Sequence, residues 1–126
     1  MQSEQKKILV VNDEKAMLEQ IRRWLSAAGH FVEGTLTAED GLKLFSQRHF
    51  DLVLLDYNLK AESAGARTAR TFIPLFKKLN PTIPIVIISA TETDLSNEAL
   101  GVVAVFILHR AIWKNLANLI NEILVN

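Results

Sequence analysis

Short apolar runs and longer segments with helical periodicity alternate along this chain. The runs are too short for helices and are rich in Ile, Leu and Val, which is typical of strands that are buried on both faces of a parallel sheet. The second run is weaker, and Phe31 and Val32 are its predicted core. The predicted strands are 8–11, 30–35, 52–55, 83–88 and 102–108.

Five helices are predicted between and after these strands, because apolar residues recur there at helical spacing. Gly29 is the predicted C-terminal cap of the first helix, and Thr37 with Asp40 is a capping signal at the start of the second. Pro74 lies inside the third and predicts a kink or a new start. A short fourth helix is predicted at 96–100. The apolar positions of the other helices are Met17, Leu18, Ile21, Trp24, Leu25 and Ala28; Leu42, Leu44 and Phe45; Ala69, Phe72, Ile73, Phe76 and Leu79; and Ile112, Leu116, Leu119, Ile120, Ile123 and Leu124.

Strict alternation of strand and helix predicts an α/β fold with helices on both faces of one sheet. We expect a flavodoxin-like, doubly wound, five-stranded parallel sheet with strand order 2-1-3-4-5. The segment 57–65 is predicted to be a loop. The prediction is a single domain over 1–126, with 1–6 as a flexible N-terminal tail.

Composition narrows the classes of function. The chain has 126 residues, of which 49% are hydrophobic and 22% charged, as expected of one soluble domain. Its 14 basic and 14 acidic side chains cancel, so the net charge gives no reason to expect nucleic acid or a membrane surface as a direct partner. The absence of cysteine excludes disulfides and thiolate metal sites. No signal peptide or membrane span is recognisable, and we expect a cytoplasmic protein.

Polar side chains cluster where the predicted strands end. Asn12 and Asp13 follow the first strand and Asp56 follows the third. Strands one and three are neighbours in the expected order, and ligands bind at the carboxyl ends of such strands, so these residues should lie together. Ser89 and His109 would add polar groups from the ends of strands four and five.

Two carboxylates that meet in one cleft repel each other unless a cation is shared between them. Magnesium suits the site, because it prefers oxygen ligands and is often held by one or two carboxylates with phosphate oxygens. Asp13 and Asp56 would supply the carboxylates, and the backbone carbonyl of Asn58 a third oxygen. Asp56 is then a candidate nucleophile that carries an acyl phosphate, with Ser89 hydrogen-bonded to a phosphoryl oxygen.

Each candidate also has a purely structural interpretation. Asp13 and Glu14 are suited to the first turn of a helix, and Ser89 to an ordinary strand end. His109 is as well explained as a solvated residue at the rim of the sheet. Phe106 is first of all a core aromatic residue.

Three motifs coincide with these strand ends: VVNDE, DLVLLDYNL around Asp56, and IPIVIISA. Together they resemble the receiver domain of bacterial response regulators, the CheY-like family, over essentially the whole chain. The resemblance implies that Asp56 accepts the phosphoryl group and that Asp13 binds magnesium. It further implies that Ser89 is the hydroxyl residue that follows phosphorylation and that Phe106 is the aromatic residue that reports it.

The chain departs from the family pattern at four positions. Asn12 replaces the first of two acidic residues and would be a weaker metal ligand. His109 stands near the position of the family's strand-five lysine, and Arg110 and Lys60 replace prolines. Imidazole and guanidinium differ from an ammonium group in charge and shape, so neither His109 nor Arg110 is a conservative replacement for lysine.

Two functional hypotheses follow from the resemblance. In the first, a histidine kinase or histidine phosphotransfer protein phosphorylates Asp56 with Mg²⁺, and the surface of helix four, strand five and helix five contacts a downstream target or output domain. The domain is then a signalling module and no enzyme in the usual sense, although it may assist its own phosphorylation and dephosphorylation. In the second hypothesis, it is a pseudo-receiver that only binds partners. The sequence leaves two questions open. The domain could form a homodimer, and it could be a stand-alone protein or part of a longer one.

Two other classes of function fit poorly. A flavin or dinucleotide binder needs a Gly-rich or Ser/Thr-rich phosphate loop after strand one, and the sequence has none there. A hydrolase with an aspartate nucleophile would need a second aspartate two residues later, where Asn58 stands.

Overall fold

The computed structural model describes residues 5–59, 67–89, 104–107 and 113–125. Strands and helices alternate up to residue 89, apart from one short strand pair. The strands are β1 (Lys7–Val11), β2 (Phe31–Thr35), β3 (Leu52–Asp56), β4 (Asn58–Leu59), β5 (Arg67–Thr68), β6 (Ile85–Ser89) and β7 (Ala104–Ile107). The helices are α1 (Lys15–Ala27), α2 (Ala38–Gln47), α3 (Ala69–Leu79) and α4 (Trp113–Val125). The helix predicted at 96–100 lies outside the described residues.

A parallel sheet forms the centre of the molecule. Its strands are hydrogen-bonded in the order β2-β1-β3-β6-β7, and each neighbouring pair is parallel. The apolar run 52–55 is fully buried, as a strand covered on both faces requires. The prediction of a flavodoxin-like α/β fold with a parallel sheet is therefore confirmed.

Alternate residues of the central strands face two separate hydrophobic layers. Leu52 and Leu54 belong to the layer under α1 and α4, whereas Val53 and Leu55 belong to the layer under α2 and α3. This alternation follows from the period of two in a strand. The helices contribute Leu18, Ile21, Leu25, Leu116 and Ile120 to the first layer, and Ala38, Phe45, Phe72, Ile73 and Phe76 to the second.

Both predicted helix caps are present. Gly29 follows α1 with a φ of 97°, in the left-handed region that favours glycine. Its N–H donates to the carbonyl of Ser26, and the next N–H, of His30, donates to the carbonyl of Leu25. Thr37 precedes α2, and its hydroxyl accepts a hydrogen bond from the N–H of Asp40 at 3.1 Å. Local sequence signals thus fix the end of α1 and the start of α2.

Two large residues among the predicted apolar positions are exposed. Phe31 opens the edge strand β2 and is 48% exposed, and Leu79 ends α3 and is 51% exposed. Both predictions were wrong because a residue at the end of an element extends past the layer that would cover it. Helical or strand periodicity alone does not show where that layer stops.

For the third helix a kink or a new start at Pro74 was predicted, and the new start was wrong. Helix α3 runs without a break from Ala69 to Leu79 and includes Pro74. Pro74 is exposed, whereas its neighbours Phe72, Ile73 and Phe76 are buried against the sheet. The burial of this face offsets the backbone hydrogen bond that proline cannot donate.

The predicted loop 57–65 contains an unforeseen strand. Asn58 and Leu59 form β4, which pairs antiparallel with Thr68 and Arg67 of β5. The pair comes between β3 and α3 and is separate from the main sheet. A strand of two residues is too short to produce an alternating pattern in the sequence.

Asp51 joins β1 to β3 at the amino end of the sheet. Its Oδ2 accepts a hydrogen bond from the N–H of Lys7 at 2.8 Å, and its own N–H donates to the carbonyl of Lys7 at 2.7 Å. His49 Nε2 lies 3.0 Å from Oδ1. Burial acts to raise the pKa of Asp51, but the bond from Lys7, the bond and charge of His49 and the charge of Lys6 together hold it below its usual value.

We therefore expect Asp51→Asn to lower the free energy of unfolding by about 1 kcal/mol near neutral pH. The pKa of Asp51 is lower in the folded state, so its contribution is complete above the unfolded pKa of about 3.9 and is lost as the pH falls through the folded pKa. Urea unfolding of both proteins at several pH values measures this difference. A gap that widens on acidification would contradict the assigned direction.

Candidate functional site

The carboxyl ends of β1 and β3 meet at one rim of the sheet. The register pairs Val11 with Leu55, and the next residues along the two strands are Asn12 and Asp56. Neighbouring strands are about 4.8 Å apart. The structure thus brings the backbones of Asn12, Asp13 and Asp56 to the same rim, as the sequence predicted. Asp13 and Asp56 are both half-buried there.

Asn12 is the one buried polar residue within the described ranges, with 4% exposure. Its side-chain Oδ1 accepts a hydrogen bond from the N–H of Glu14 at 2.9 Å. Its backbone N–H donates to the carbonyl of Thr35 at 3.1 Å. Because Glu14 makes no side-chain capping bond of its own, the Asn12 amide holds the turn that carries Asp13 into α1.

The next strand, β6, extends the same rim. Asp56 pairs with Ile88 in the register of β3 and β6, and Tyr57 N–H donates to the carbonyl of Ile88 at 2.8 Å. Ser89 is the last residue of β6 and follows Ile88 directly. The structure therefore brings Ser89 to within one position of the level of Asp56 on the adjacent strand.

Phe106 lies one strand further out. It belongs to β7 and pairs with Ile88 of β6, so its backbone lies in line with Asp56 across the sheet. The predicted place of Phe106 on the fifth strand of the main sheet is confirmed. Its role as the reporting aromatic residue stays a prediction.

The remaining candidates lie beyond the rim strands. Asn58 is in β4, two residues after Asp56, and pairs with Thr68. This pairing was not predicted, because a two-residue strand gives no periodic signal. Lys60, His109 and Arg110 lie outside the described residues.

The donor chemistry at this rim fits a magnesium ion. No group of three or more His, Cys, Asp or Glu side chains suited to a metal occurs within the described part of the chain. The strand ends that meet here bring two carboxylates to the rim, those of Asp13 and Asp56. Magnesium is commonly bound by one or two carboxylates and completes its shell with water and phosphate oxygens. The neutral amide of Asn12 adds no charge, and its oxygen is already bonded to Glu14.

Comparison with known proteins decides the family. The family model described as the response regulator receiver domain matches residues 8–122. The chain belongs to this receiver domain family. The receiver domain is a signalling module of two-component systems, so the resemblance inferred from the three motifs is confirmed.

Two curated relatives are similar over most of the receiver domain. A Bacillus subtilis protein, the uncharacterized transcriptional regulatory protein YcbL, is 29% identical over 93 residues, which are 74% of this chain and 38% of that protein. The DNA-binding transcriptional regulator NtrC of a Bradyrhizobium strain is 33% identical over 89 residues, 71% of this chain and 18% of NtrC. The chain thus spans well under half the length of either relative.

Solved structures support the fold. The CheY-like receiver domain protein from Methanospirillum hungatei superposes with a TM-score of 0.85 and 23% identity, covering 96% of this chain and 94% of that one. At this identity the likeness concerns the fold alone. Among the described helices of the receiver domain, none is long and apolar enough to cross a membrane.

Proposed function

We propose that this receiver domain accepts a phosphoryl group on Asp56 from a histidine kinase or a histidine phosphotransfer protein, and signals by protein contact. The observation that supports this most is the position of Asp56. Asp56 is the last residue of the central strand β3, and it lies at the same rim as Asp13, which follows the end of β1. Ligands bind at this rim in open α/β sheets.

The proposed reaction is a phosphoryl transfer between two side chains. A carboxylate oxygen of Asp56 attacks the phosphorus of a phosphohistidine, an O–P bond forms, and the N–P bond to the imidazole breaks. The leaving imidazole keeps the electron pair of that bond and takes up a proton. Asp13 and Asp56 would hold Mg²⁺, which would supply positive charge to the phosphoryl oxygens.

Other residues are assigned supporting roles in this proposal. The backbone carbonyl of Asn58 would be a further metal ligand, and the Ser89 hydroxyl would donate a hydrogen bond to a phosphoryl oxygen. His109 is near the sequence position of the family's strand-five lysine, and we assign it at most a weak contact with the phosphoryl group. Phe106 adjusts its packing when the hydroxyl of Ser89 is engaged. The position of Ser89 at the end of β6 supports its role.

The signal leaves the domain through a change in protein contacts. Phosphorylation replaces the single negative charge of the Asp56 carboxylate with an acyl phosphate that carries about two, a net gain of about one negative charge at neutral pH, and this change must bias two conformations of the domain to have an effect. The relatives YcbL and NtrC are named as transcriptional regulators and are longer than the receiver. We therefore propose a protein target or an output domain as the partner, with no direct contact between this domain and nucleic acid.

Phosphorylation is tested by incubating the protein with a small phosphodonor and Mg²⁺ and measuring its intact mass. We expect one phosphoryl group per chain in the wild type and none in Asp56→Asn. Asp51→Asn is the matched control, because it makes the same substitution just before the other end of β3 and lies away from the rim. It should still gain the phosphoryl group.

The same experiment separates a receiver from a pseudo-receiver. No mass gain in folded wild-type protein, or a gain that persists in Asp56→Asn, would overturn the proposal. If Asp51→Asn also failed to gain the mass of a phosphoryl group, the assay would be reporting protein stability rather than the phosphorylation site. Folding of each variant is checked by circular dichroism.

A further inference from the structure

The buried side chain of Asn12 has hydrogen-bond donors that the described structure does not use. The side chain is 4% exposed. The backbone N–H of Glu14 donates to it at 2.9 Å, and of the two ends of the amide only the oxygen can accept such a bond. The other end is therefore the Nδ2 group with its two N–H donors. Within the described residues, the bond from Glu14 is the one hydrogen bond that this side chain makes.

Unused donors on a buried amide indicate a bound acceptor. Buried polar groups in folded proteins almost always have a hydrogen-bond partner, because an unpaired donor loses its contact with water and gains nothing in return. An N–H group presents the positive end of its dipole, so it attracts an anion and repels a cation. The Nδ2 end of Asn12 is therefore suited to a negatively charged group and unsuited to a metal ion.

The register of the sheet brings this amide beside Asp56. Val10 and Leu54 are paired across β1 and β3, and both lie in the hydrophobic layer under α1 and α4. Asn12 and Asp56 follow two residues later, and the N–H of Asn12 still bonds to Thr35 of β2. Because the side chains of a strand alternate with a period of two, the two side chains leave the sheet on the same side, from strands about 4.8 Å apart.

We propose that a side-chain N–H of Asn12 donates a hydrogen bond to an oxygen of the phosphoryl group on Asp56. The inference rests on the proposed phosphorylation of Asp56 and adds a residue that binds its product. The phosphoryl group carries about two negative charges at neutral pH, and hydrogen bonds to charged acceptors are stronger than those between neutral groups.

The two neighbouring residues at the end of β1 then have different tasks. Asp13 is an anion and is suited to the cation, whereas Asn12 is a neutral donor and is suited to the phosphoryl oxygens. The bond from Glu14 fixes the amide before any phosphoryl group arrives, so little ordering is needed when the new bond forms. A carboxylate at position 12 has no N–H to donate and would repel the phosphoryl group.

The first test observes the hydrogen bond in the wild type. Protein labelled with ¹⁵N is phosphorylated with phosphoramidate and Mg²⁺, and NMR measures the scalar coupling between side-chain nitrogens and phosphorus. This coupling passes through an N–H···O–P hydrogen bond, so it requires the bond itself. We expect it for Nδ2 of Asn12. Asn118, on the exposed face of α4, should show none.

The second test measures how much the hydrogen bond contributes to binding. The probe is beryllofluoride, BeF₃⁻, an analogue of the phosphoryl group, and calorimetry measures its dissociation constant in millimolar Mg²⁺. Asn12→Ser removes the amide donors, retains an oxygen that can accept from Glu14 N–H, and leaves the charge unchanged. We expect the dissociation constant to rise at least about tenfold, as for the loss of one hydrogen bond to a charged group. Asn118→Ser is the matched control and should bind as the wild type does.

The outcomes separate this inference from the proposed function. If phosphorylated wild type shows no coupling at Asn12, and Asn12→Ser binds BeF₃⁻ as tightly as the wild type, the amide only supports the turn into α1 and the inference is wrong. The mass gain at Asp56 is measured independently and would still stand. A wild type that neither gains a phosphoryl group nor binds BeF₃⁻ would contradict the proposed function itself. Should Asn12→Ser prove unfolded by circular dichroism, the coupling in the wild type alone decides.

Discussion

Asn12→Asp is expected to destabilise the protein by at least about 2 kcal/mol when divalent cations are chelated, and to make its stability depend strongly on Mg²⁺. Asn12 is 4% exposed and lies at the rim shared by Asp13 and Asp56. A third carboxylate there would be both desolvated and repelled by the other two. The new oxygen still accepts from Glu14 N–H, so the turn into α1 is retained and the effect is mainly electrostatic.

The measurement is urea unfolding of both proteins in excess chelator and in millimolar Mg²⁺. A ligand that binds only the folded state stabilises it in proportion to the logarithm of its concentration above the dissociation constant. We expect the free energy of unfolding to rise slightly with Mg²⁺ concentration in the wild type and steeply in Asn12→Asp. Asn118→Asp, on the exposed face of α4, is the control for an added charge.

The two possible failures have different meanings. In the first, Asn12→Asp is destabilised in chelator and does not recover its stability in Mg²⁺. That result would confirm the cost of a buried charge at position 12 and would show that the proposed metal site is wrong. If Asn12→Asp is as stable as the wild type in chelator, the carboxylates do not share a confined site, and the proposed site has lost its physical basis.

Phe76→Ala is expected to lower the free energy of unfolding by about 3–5 kcal/mol, which is a large part of the stability of a domain of this size. Phe76 is fully buried in the layer under α2 and α3. Its ring meets the edge of Phe45 at a centroid distance of 5.2 Å and an interplanar angle of 76°. The substitution would leave a cavity between α2, α3 and the sheet, because neighbours in a packed core relax only partly.

Urea unfolding at one pH measures this effect as well. Phe31→Ala is the matched control, because it removes the same side chain from a position that is 48% exposed. We expect it to change the stability by less than about 1 kcal/mol. Comparable decreases in the free energy of unfolding of Phe76→Ala and Phe31→Ala would mean that Phe76 does not stabilise the hydrophobic layer under α2 and α3 as described.

The strands of the central sheet could be predicted from the sequence because their burial is nearly complete. A strand covered on both faces must be apolar at every position, and Leu52–Leu55 shows that pattern without any tertiary information. The caps at Gly29 and Thr37 were predictable for a similar reason, since a helix end is satisfied by residues that are close in sequence. These local rules also located Asp56 at the end of its strand.

Predictions failed where an outcome depended on residues far away in the chain. The exposure of Phe31 follows from its place as the first residue of β2, because the pattern of the strand does not show where the layer that would cover it ends. The pairing of Asn58 with Thr68 joins segments ten positions apart, with too few residues to leave a pattern. Pro74 is accommodated in α3 because that helix packs on the sheet, which propensity alone does not anticipate.

For the candidate site, too, some features could be predicted from the sequence and others could not. The sequence by itself determined the residue types: carboxylates at 13 and 56, a hydroxyl at 89, and an amide in place of an acid at 12. Only the tertiary structure decided the register that pairs Val11 with Leu55, and that the Asn12 amide is buried and bonded to Glu14. The physical reason is that composition and periodicity describe each element separately, whereas register and burial are properties of how the elements pack together.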